Sequence, residues 1–442
     1  MHIAQFIQRF PPALGGSEHY TRLLCNYFAQ CGDSVTVWTS EAVPLWSMWR
    51  GRMSRVEKAQ VARQEAAQRT RDTSVHAGVE LRQYLPLRFP LRRYALKALS
   101  LFPHRRWQCL TSPCSPVCPA MWRDVNRFEG PLDAVHAAAF PYGFPLACGL
   151  RLARRKGVPF LLTPFLHLGD VHDATNLTRR QYTSPRLRWL LNEADRIFAQ
   201  TNLERGAIIS LGIPEERVIL QGQGTTPSEC TGGDRDRARR AWGVRPDEVV
   251  LGHLSNNSVE KGTVDLLRAA EIAWSHGEEF RVVLAGPEMP NFRRFWDRFR
   301  HKDRVTRLGA FSEADRRDFY AGIDFFSLPS RCDSFGLVLI EAWANGKPNV
   351  VYRAGGPAEL VRHEVDGLQA ACGDVNELAA RYVRLVRDAE LRRRLGANGQ
   401  PRVEKEFLWQ DKFEIVRETI QELVERRPAA RVSLSAPCRI AS

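Results

Sequence analysis

The stretch VVLGHLSNNSVEKGTVDLLRAAEIAWSHGEEFRVVLAG, residues 249–286, joins two apolar, β-branched runs through a segment of helical spacing. Residues 249–254 and 280–286 read as strands. Between them Val264, Leu267, Ala270 and Trp274 recur at helical intervals, and Gly277 closes the helix. The alternation continues downstream with DFFSLPS (324–330) and NVVY (349–352). Upstream, HIAQFI (2–7), SVTVWT (34–39), DAVHA (133–137), PFLLT (159–163) and RIFAQ (196–200) repeat it, with Tyr20, Leu23, Leu24, Tyr27 and Phe28 marking a first helix. Strands that alternate with helices build parallel sheets. Because this happens twice, the expected fold is α/β, with two doubly wound parallel-sheet domains.

At 442 residues the chain suits two domains of roughly 200 residues each. The Gly-, Thr-, Ser- and Pro-dense segment QGQGTTPSECTGGD, 221–234, marks the join. The expected domains are 1–221 and 222–405. A last helical pattern spans about 402–426, so 406–426 is a terminal helix able to pack back on the first domain, and 427–442 reads as a mobile basic tail. Segment 41–78 is polar and charged and reads as a helical insertion without chemistry of its own.

Hydrophobic residues make up 44% of the chain, a folded composition. The formal net charge of +14 favours an anionic partner. Zinc-finger spacing, RNA-binding aromatic motifs and concentrated Lys/Arg tracts are missing, so nucleic acid is not the expected partner. The start, MHIAQFIQRFPP, has too short an apolar run for a secretory leader, and no stretch approaches the about 20 apolar residues of a membrane span. The expected location is cytoplasmic. Ten cysteines suit reduced, mostly buried thiols. Cys109, Cys114 and Cys118 cluster near His104 but lack the paired spacing of a structural zinc site.

Ligands of open parallel sheets bind beyond the carboxyl ends of the strands, so strand-to-helix loops carry the candidate residues. In FPPALGGSEHY, Gly15 and Gly16 let the backbone approach a ligand, Ser17 suits a helix cap, and the helix start attracts phosphate. Lys261 in NNSVEKG sits where its ammonium can neutralise a phosphate, the plainer alternative being a solvated surface lysine. Gly355 and Gly356 before Pro357 form another anion-ready helix start. In SRCDSFGLVLIEAWANG, 330–346, Asp333 precedes a buried apolar helix closed by Asn345 and Gly346, and Glu341 lies about two turns inside it. At about 3.6 residues per turn, this spacing brings both carboxylates toward one cleft. The plainer alternative makes Asp333 a helix cap and Glu341 an isolated buried acid, which is costly.

Together and in this order, the four loops resemble those of glycosyltransferase family 4, retaining nucleotide-sugar transferases with two facing Rossmann-like domains, the GT-B fold. The likeness is strongest over about 245–405 and extends to 1–40 and 159–220. DSFGLVLIEAWANGKP is similar to the family's E-x7-E motif, and LPS before it, GGPAEL after it and DGL at 366–368 also fit. The resemblance implies an acceptor side in 1–221 and a donor side in 222–405. It implies that Glu341 holds the donor's ribose hydroxyls, that Asp333 contacts the transferred sugar, and that Ser334, Phe335, Gly336 and Leu337 lie along the sugar and diphosphate. Lys261 would balance charge on the leaving diphosphate. Gly15 and Gly16 would approach it from the other domain, and His167 in TPFLHLGD would line the cleft. Three departures stand out: Asp333 where the pattern usually has Glu, His253 where an arginine is common nearby, and QGQGTT, 221–226, where N-G-V-D is frequent.

The implied activity moves a sugar from a nucleoside-diphosphate sugar to a glycan or lipid-linked acceptor in cell-surface or exported polysaccharide assembly. Lys261 and the helix starts offset the diphosphate charge, so no cofactor and no metal is required. A metal would draw on His167, Asp170, His172 and Asp173. A non-catalytic nucleotide-sugar-binding relative, and an epimerase or hydrolase on the same scaffold, are the competing classes. FPLRRYALKALSLFPHRRW, 89–107, sets Leu91, Tyr94, Ala95, Ala98, Leu99 and Phe102 at helical spacing among Arg92, Arg93, Lys97, Arg105 and Arg106. Such a helix either lies on an anionic membrane, a peripheral location on its inner face, or packs on the first domain with its basic side in solvent.

Overall fold

The computed structural model describes residues 1–13, 15–42, 48, 78–169, 176–309 and 313–426. Most of the 41–78 insertion, the 427–442 tail, Asp170, His172 and Asp173 lie outside the described residues.

Two parallel sheets organise the chain. The first contains β1 (His2–Phe6), β2 (Ser34–Ser40), β3 (Val79–Tyr84), β4 (Ala134–Ala138), β5 (Phe160–Thr163), β6 (Arg196–Ala199) and β7 (Val218–Leu220), in the order β3-β2-β1-β4-β5-β6-β7. The second contains β8 (Val250–Leu254), β9 (Arg281–Ala285), β10 (Val305–Gly309), β11 (Phe325–Leu328), β12 (Asn349–Tyr352) and β13 (Gly367–Ala370), in the order β10-β9-β8-β11-β12-β13. Each sheet is therefore doubly wound about its first strands. Helices cover both faces of such sheets, so inner strands must be apolar throughout. β4, β5, β11 and β12 are buried at every position. His136 in β4 fits because its ring meets Gln5 of β1 at 2.6 Å and Thr163 of β5 at 2.8 Å. Burial pushes its pKa down to about 3, making it a neutral core residue.

The helices used below are α1 (Gly16–Gln30), α2 (Arg92–Leu99), α3 (Arg105–Leu110), α4 (Leu177–Tyr182), α5 (Asn202–Ser210), α6 (Thr263–Ser275), α7 (Glu313–Gly322), α8 (Leu337–Ala344), α9 (Gly355–Leu360) and α10 (Trp409–Glu425). The helix expected over about 402–426 is broken at Phe407–Leu408, and α10 packs on α1. Trp409, Phe413, Val416 and Ile420 join Tyr20, Leu24, Phe28 and Phe165 in one apolar cluster. Burying each such side chain contributes about 1.5–3 kcal/mol. The unusual QGQGTT segment belongs to this junction. Gln221 bonds the Tyr20 hydroxyl and the Lys412 carbonyl, and a Cβ on Gly224 would lie 2.5 Å from the Trp409 nitrogen.

The basic segment 89–107 is not one helix. Leu91 takes a left-handed conformation (φ 57°), α2 ends at Leu99, and α3 begins at Arg105. Its apolar stripe faces outward, while Arg92 and Leu96 are the buried residues of α2. The cysteines nearby do not converge: Cys109, Cys114 and Cys118 reach the carbonyls of Arg186, Pro141 and Tyr84 in turn.

Candidate active site

The lysine loop and the acidic loop are built against each other. After β8 the chain turns through Ser258, whose Oγ accepts from the Lys261 amide at 3.1 Å. Gly262 then starts α6 with φ 76°, and a Cβ there would lie 1.8 Å from the Pro329 carbonyl oxygen. Only glycine lets the two backbones approach so closely. The amide of Arg331 and the hydroxyl of Ser330 both donate to the Glu260 carbonyl, at 3.0 and 3.3 Å. This lacing sets the Lys261 ammonium directly against Asp333 Oδ1. Burial works against both charges, yet each partner outweighs it, so Asp333 stays below and Lys261 above its ordinary pKa.

His167 enters from the other sheet, beyond the end of β5. Its Nδ1 lies 2.6 Å from the carbonyl oxygen of Cys332, beside Asp333, and its ring packs on Tyr182 of α4 at 4.8 Å. A carbonyl only accepts, so Nδ1 carries the proton. Burial, then the Lys261 charge, pushes the ring's pKa down to about 4 against the opposing pull of Asp333. The imidazole is therefore neutral near pH 7, and Nε2 is left as an acceptor. Three predicted residues from two domains, His167, Lys261 and Asp333, thus share one small space.

Glu341 is placed differently from its expected position. Gly336 has φ 102°, so α8 starts at Leu337 and Glu341 lies in its second turn rather than two turns in. Neither plainer alternative holds. No side chain caps α8, and Glu341 is fully partnered: Arg316 donates to Oε1 at 3.1 Å and Tyr320 to Oε2 at 2.7 Å. Burial and the Glu341 carboxylate hold the Tyr320 hydroxyl well above its ordinary pKa. Sequence reasoning missed Arg316 and Tyr320; their four-residue spacing on α7 places them on one helical face and was the available signal. Phe335 is buried, and Leu337 packs against the apolar clusters of both domains, so the start of α8 lies in the cleft.

The glycine pairs serve two different purposes. Gly355 and Gly356 bring α9 against the acidic loop: added Cβ atoms would meet the Asp333 and Ser334 carbonyl oxygens at 2.3 and 2.1 Å. Their role is close packing that seats Asp333, and α9 is only six residues long. At α1 the cap residue is Gly15, not Ser17. The Glu18 carboxylate, paired with Arg9 at 2.5 Å and bonded to Gln8 at 3.1 Å, fills the space a Gly15 Cβ would take, whereas Gly16 faces open space. His253 does not replace the absent arginine at a ligand. It is buried in β8, bonded to Ser327, Thr263 and Ser255, and burial lowers its pKa to about 4.

Two doubly wound parallel α/β domains are the architecture of the GT-B class, and here a cation, a carboxylate and a neutral histidine from the two of them meet. The Glycosyl transferase 4-like domain profile matches residues 15–222 and the Glycosyl transferases group 1 profile residues 234–402. The chain belongs to the glycosyltransferases of the family 4 type. It is 31% identical over 302 residues to D-inositol 3-phosphate glycosyltransferase of Mycobacterium marinum, a match spanning 65% of this chain and 62% of that one. It is 30% identical over 175 residues to N-acetyl-alpha-D-glucosaminyl L-malate synthase of Bacillus anthracis, spanning 39% and 45%. The chain thus covers less than two thirds of either relative. Among solved structures, sucrose-phosphate synthase of Thermosynechococcus elongatus superposes with a TM-score of 0.72 at 20% identity, covering 96% of this chain and all of that one. HepE of Anabaena in complex with UDP gives 0.67 at 20% identity, with the same coverage. Among the described residues, no helix is long and apolar enough to cross a membrane.

Proposed function

We propose that this chain is a retaining glycosyltransferase that moves a sugar from a nucleoside-diphosphate sugar to a glycan or lipid-linked acceptor in cell-surface, exopolysaccharide or lipopolysaccharide assembly. The observation that carries this reading is the convergence of His167, Lys261 and Asp333 at the start of α8, one residue from the acceptor side and two from the donor side. HepE was solved with UDP-glucose, which supports a nucleotide sugar as the donor here as well.

In this mechanism Glu341, held by Arg316 and Tyr320, receives the ribose hydroxyls. Asp333 meets the transferred sugar, and the backbone of Ser334, Phe335, Gly336 and Leu337 follows the sugar and diphosphate. As the bond from the anomeric carbon to the phosphate oxygen breaks, the diphosphate takes the electron pair. Lys261 and the amides of α8 stabilise that charge without requiring a metal, and Gly15 and Gly16 border the phosphates from the facing domain. Neutral His167 accepts a hydrogen bond from a sugar hydroxyl through Nε2. The acceptor oxygen attacks the face the phosphate leaves, its proton passes to a phosphate oxygen, and the anomeric configuration is retained.

The test is a screen of nucleoside-diphosphate sugars by calorimetry and product release, with wild type and Glu341→Ala. Binding that is lost on substitution, with a transferred-sugar product, supports the proposal. Binding without turnover favours the non-catalytic relative, and an altered or freed sugar favours an epimerase or hydrolase.

A further inference from the structure

The large apolar side chains that the fold leaves in solvent are concentrated in one stretch of the chain, 81–107. Leu85, Leu87, Phe89, Leu91, Tyr94, Leu99, Leu101, Phe102 and Trp107 are all exposed, with Leu91, Tyr94 and Leu101 at 74%, 71% and 77%. Elsewhere among the described residues such side chains are scattered singly. Contiguous exposed apolar surface marks an interaction site.

We infer that this surface docks the protein on an anionic lipid bilayer. Charge selects that occupant. Residues 81–123 contain no Asp or Glu, while Arg88, Arg93, Lys97 and Arg105 stand exposed among the apolar side chains. Apolar groups inserting at the headgroup boundary, ringed by cations, describe an interfacial element attracted to acidic headgroups.

The surface is also held firmly in this orientation. Arg92, the one basic residue of α2 turned inward, donates to the carbonyls of Ser115 at 2.7 Å and Pro113 at 3.3 Å. The Trp107 indole donates to the Leu99 carbonyl at 2.9 Å, tying α3 to the end of α2. Between Pro113 and Ser115, Cys114 contacts the Pro141 carbonyl and lies near Tyr182, the ring that packs on His167. The segment also follows β3, so it starts from the carboxyl edge of the first sheet, the edge that carries His167 and Gly16. A bilayer on this surface would present a lipid-linked acceptor to the histidine side of the cleft. That purpose rests on the transferase reading; the docking itself does not.

The experiment is co-sedimentation of the full chain with large vesicles of phosphatidylcholine alone or with 30% phosphatidylglycerol, compared with Leu101→Ser/Phe102→Ser and Arg93→Gln/Lys97→Gln variants. Expected is binding to the anionic vesicles that weakens in 0.5 M salt and falls at least about tenfold in either double variant. Calorimetric donor binding should be unchanged in both, which also shows that they fold. Wild type that ignores anionic vesicles overturns the proposal. So does equal binding to both vesicle types, or a concentration-dependent dimer in light scattering that the Leu101/Phe102 variant abolishes. Failure of the transferase reading would appear separately, as absence of turnover of any donor.

Discussion

Lys261 has two duties that a pair of substitutions can separate. It neutralises Asp333 in the folded protein, and in the proposed reaction it stabilises the leaving diphosphate. Removing one partner of a buried ion pair costs about 3–5 kcal/mol, because the remaining charge is stranded. The side chains of Lys261 and Asp333 retain 24% and 13% of their exposure, so the lower end, about 3 kcal/mol, applies to Lys261→Met. For a domain of about 200 residues that lowers the melting temperature by about 6–12 °C. Adding Asp333→Asn removes the stranded charge and should return stability to within about 1 kcal/mol of wild type. Turnover should behave otherwise. Loss of one cationic donor to the leaving group costs about 10²–10³-fold in kcat, and the double variant should not recover it. Calorimetric melting and nucleoside-diphosphate release, measured on wild type, Lys261→Met, Asp333→Asn and the double variant, complete the cycle. A single variant that melts with wild type refutes the structural duty; a double variant that regains kcat refutes the catalytic one.

Three further outcomes follow from the geometry. Tyr320→Phe leaves Glu341 with Arg316 alone; it should cost about 1.5–3 kcal/mol of stability and raise the donor KM several-fold while kcat stays within twofold. Equal losses in kcat would show that Glu341 does more than hold the donor. Gly262→Ala should lower kcat at least about tenfold by pushing the lysine loop off Pro329, whereas Gly232→Ala, with similar φ but open space, should lose only about 1 kcal/mol of stability and no activity. His136 and His253 are buried neutral, with pKa values lowered to about 3 and about 4. Unfolded histidines bind protons below about pH 6.5, so stability is fully present above that pH and is lost as pH falls toward 4. At pH 5 the two together should cost about 4 kcal/mol relative to pH 7.5, and an unchanged urea midpoint would show that they are not held neutral.

How much of this was legible in the sequence depends on where each element sits. All the expected strands are present, and the four that sequence reading passed over, β3, β7, β10 and β13, are the four sheet edges. That is not coincidence. An inner parallel strand is covered on both faces and must be an apolar run, while an edge strand such as VELRQY or VTRLG carries charge that keeps other chains from pairing with it. Segment 89–107 left two readings open for the complementary reason. Its periodicity marks an apolar face but not its direction, and the contact that turns the face outward is one arginine reaching carbonyls more than twenty residues away.

The site divides along the same line. Lys261 and Asp333 stand in the strand-to-helix loops where ligands of parallel sheets bind, and the family resemblance singled them out together with Glu341, although α8 starts later than the spacing implied. Arg316, Tyr320 and the Cys332 carbonyl were not legible, because they act through tertiary contact. That contact changes what His167 means. Its Nδ1 proton is fixed by a carbonyl of the second domain, and Glu359 of α9 crosses the same boundary to accept from the amides of Asn202 and Leu203 at the start of α5, both at 2.8 Å. If the domains part, both contacts break together: α5, still capped by Thr201, loses the carboxylate at its first two amides, and the imidazole loses the acceptor and the burial that hold it neutral in one tautomer. The histidine is therefore set for its proposed role only while the cleft is closed, and Glu359→Gln, which weakens the closing contact without touching the site, should lower kcat/KM while leaving the melting of the second domain unchanged.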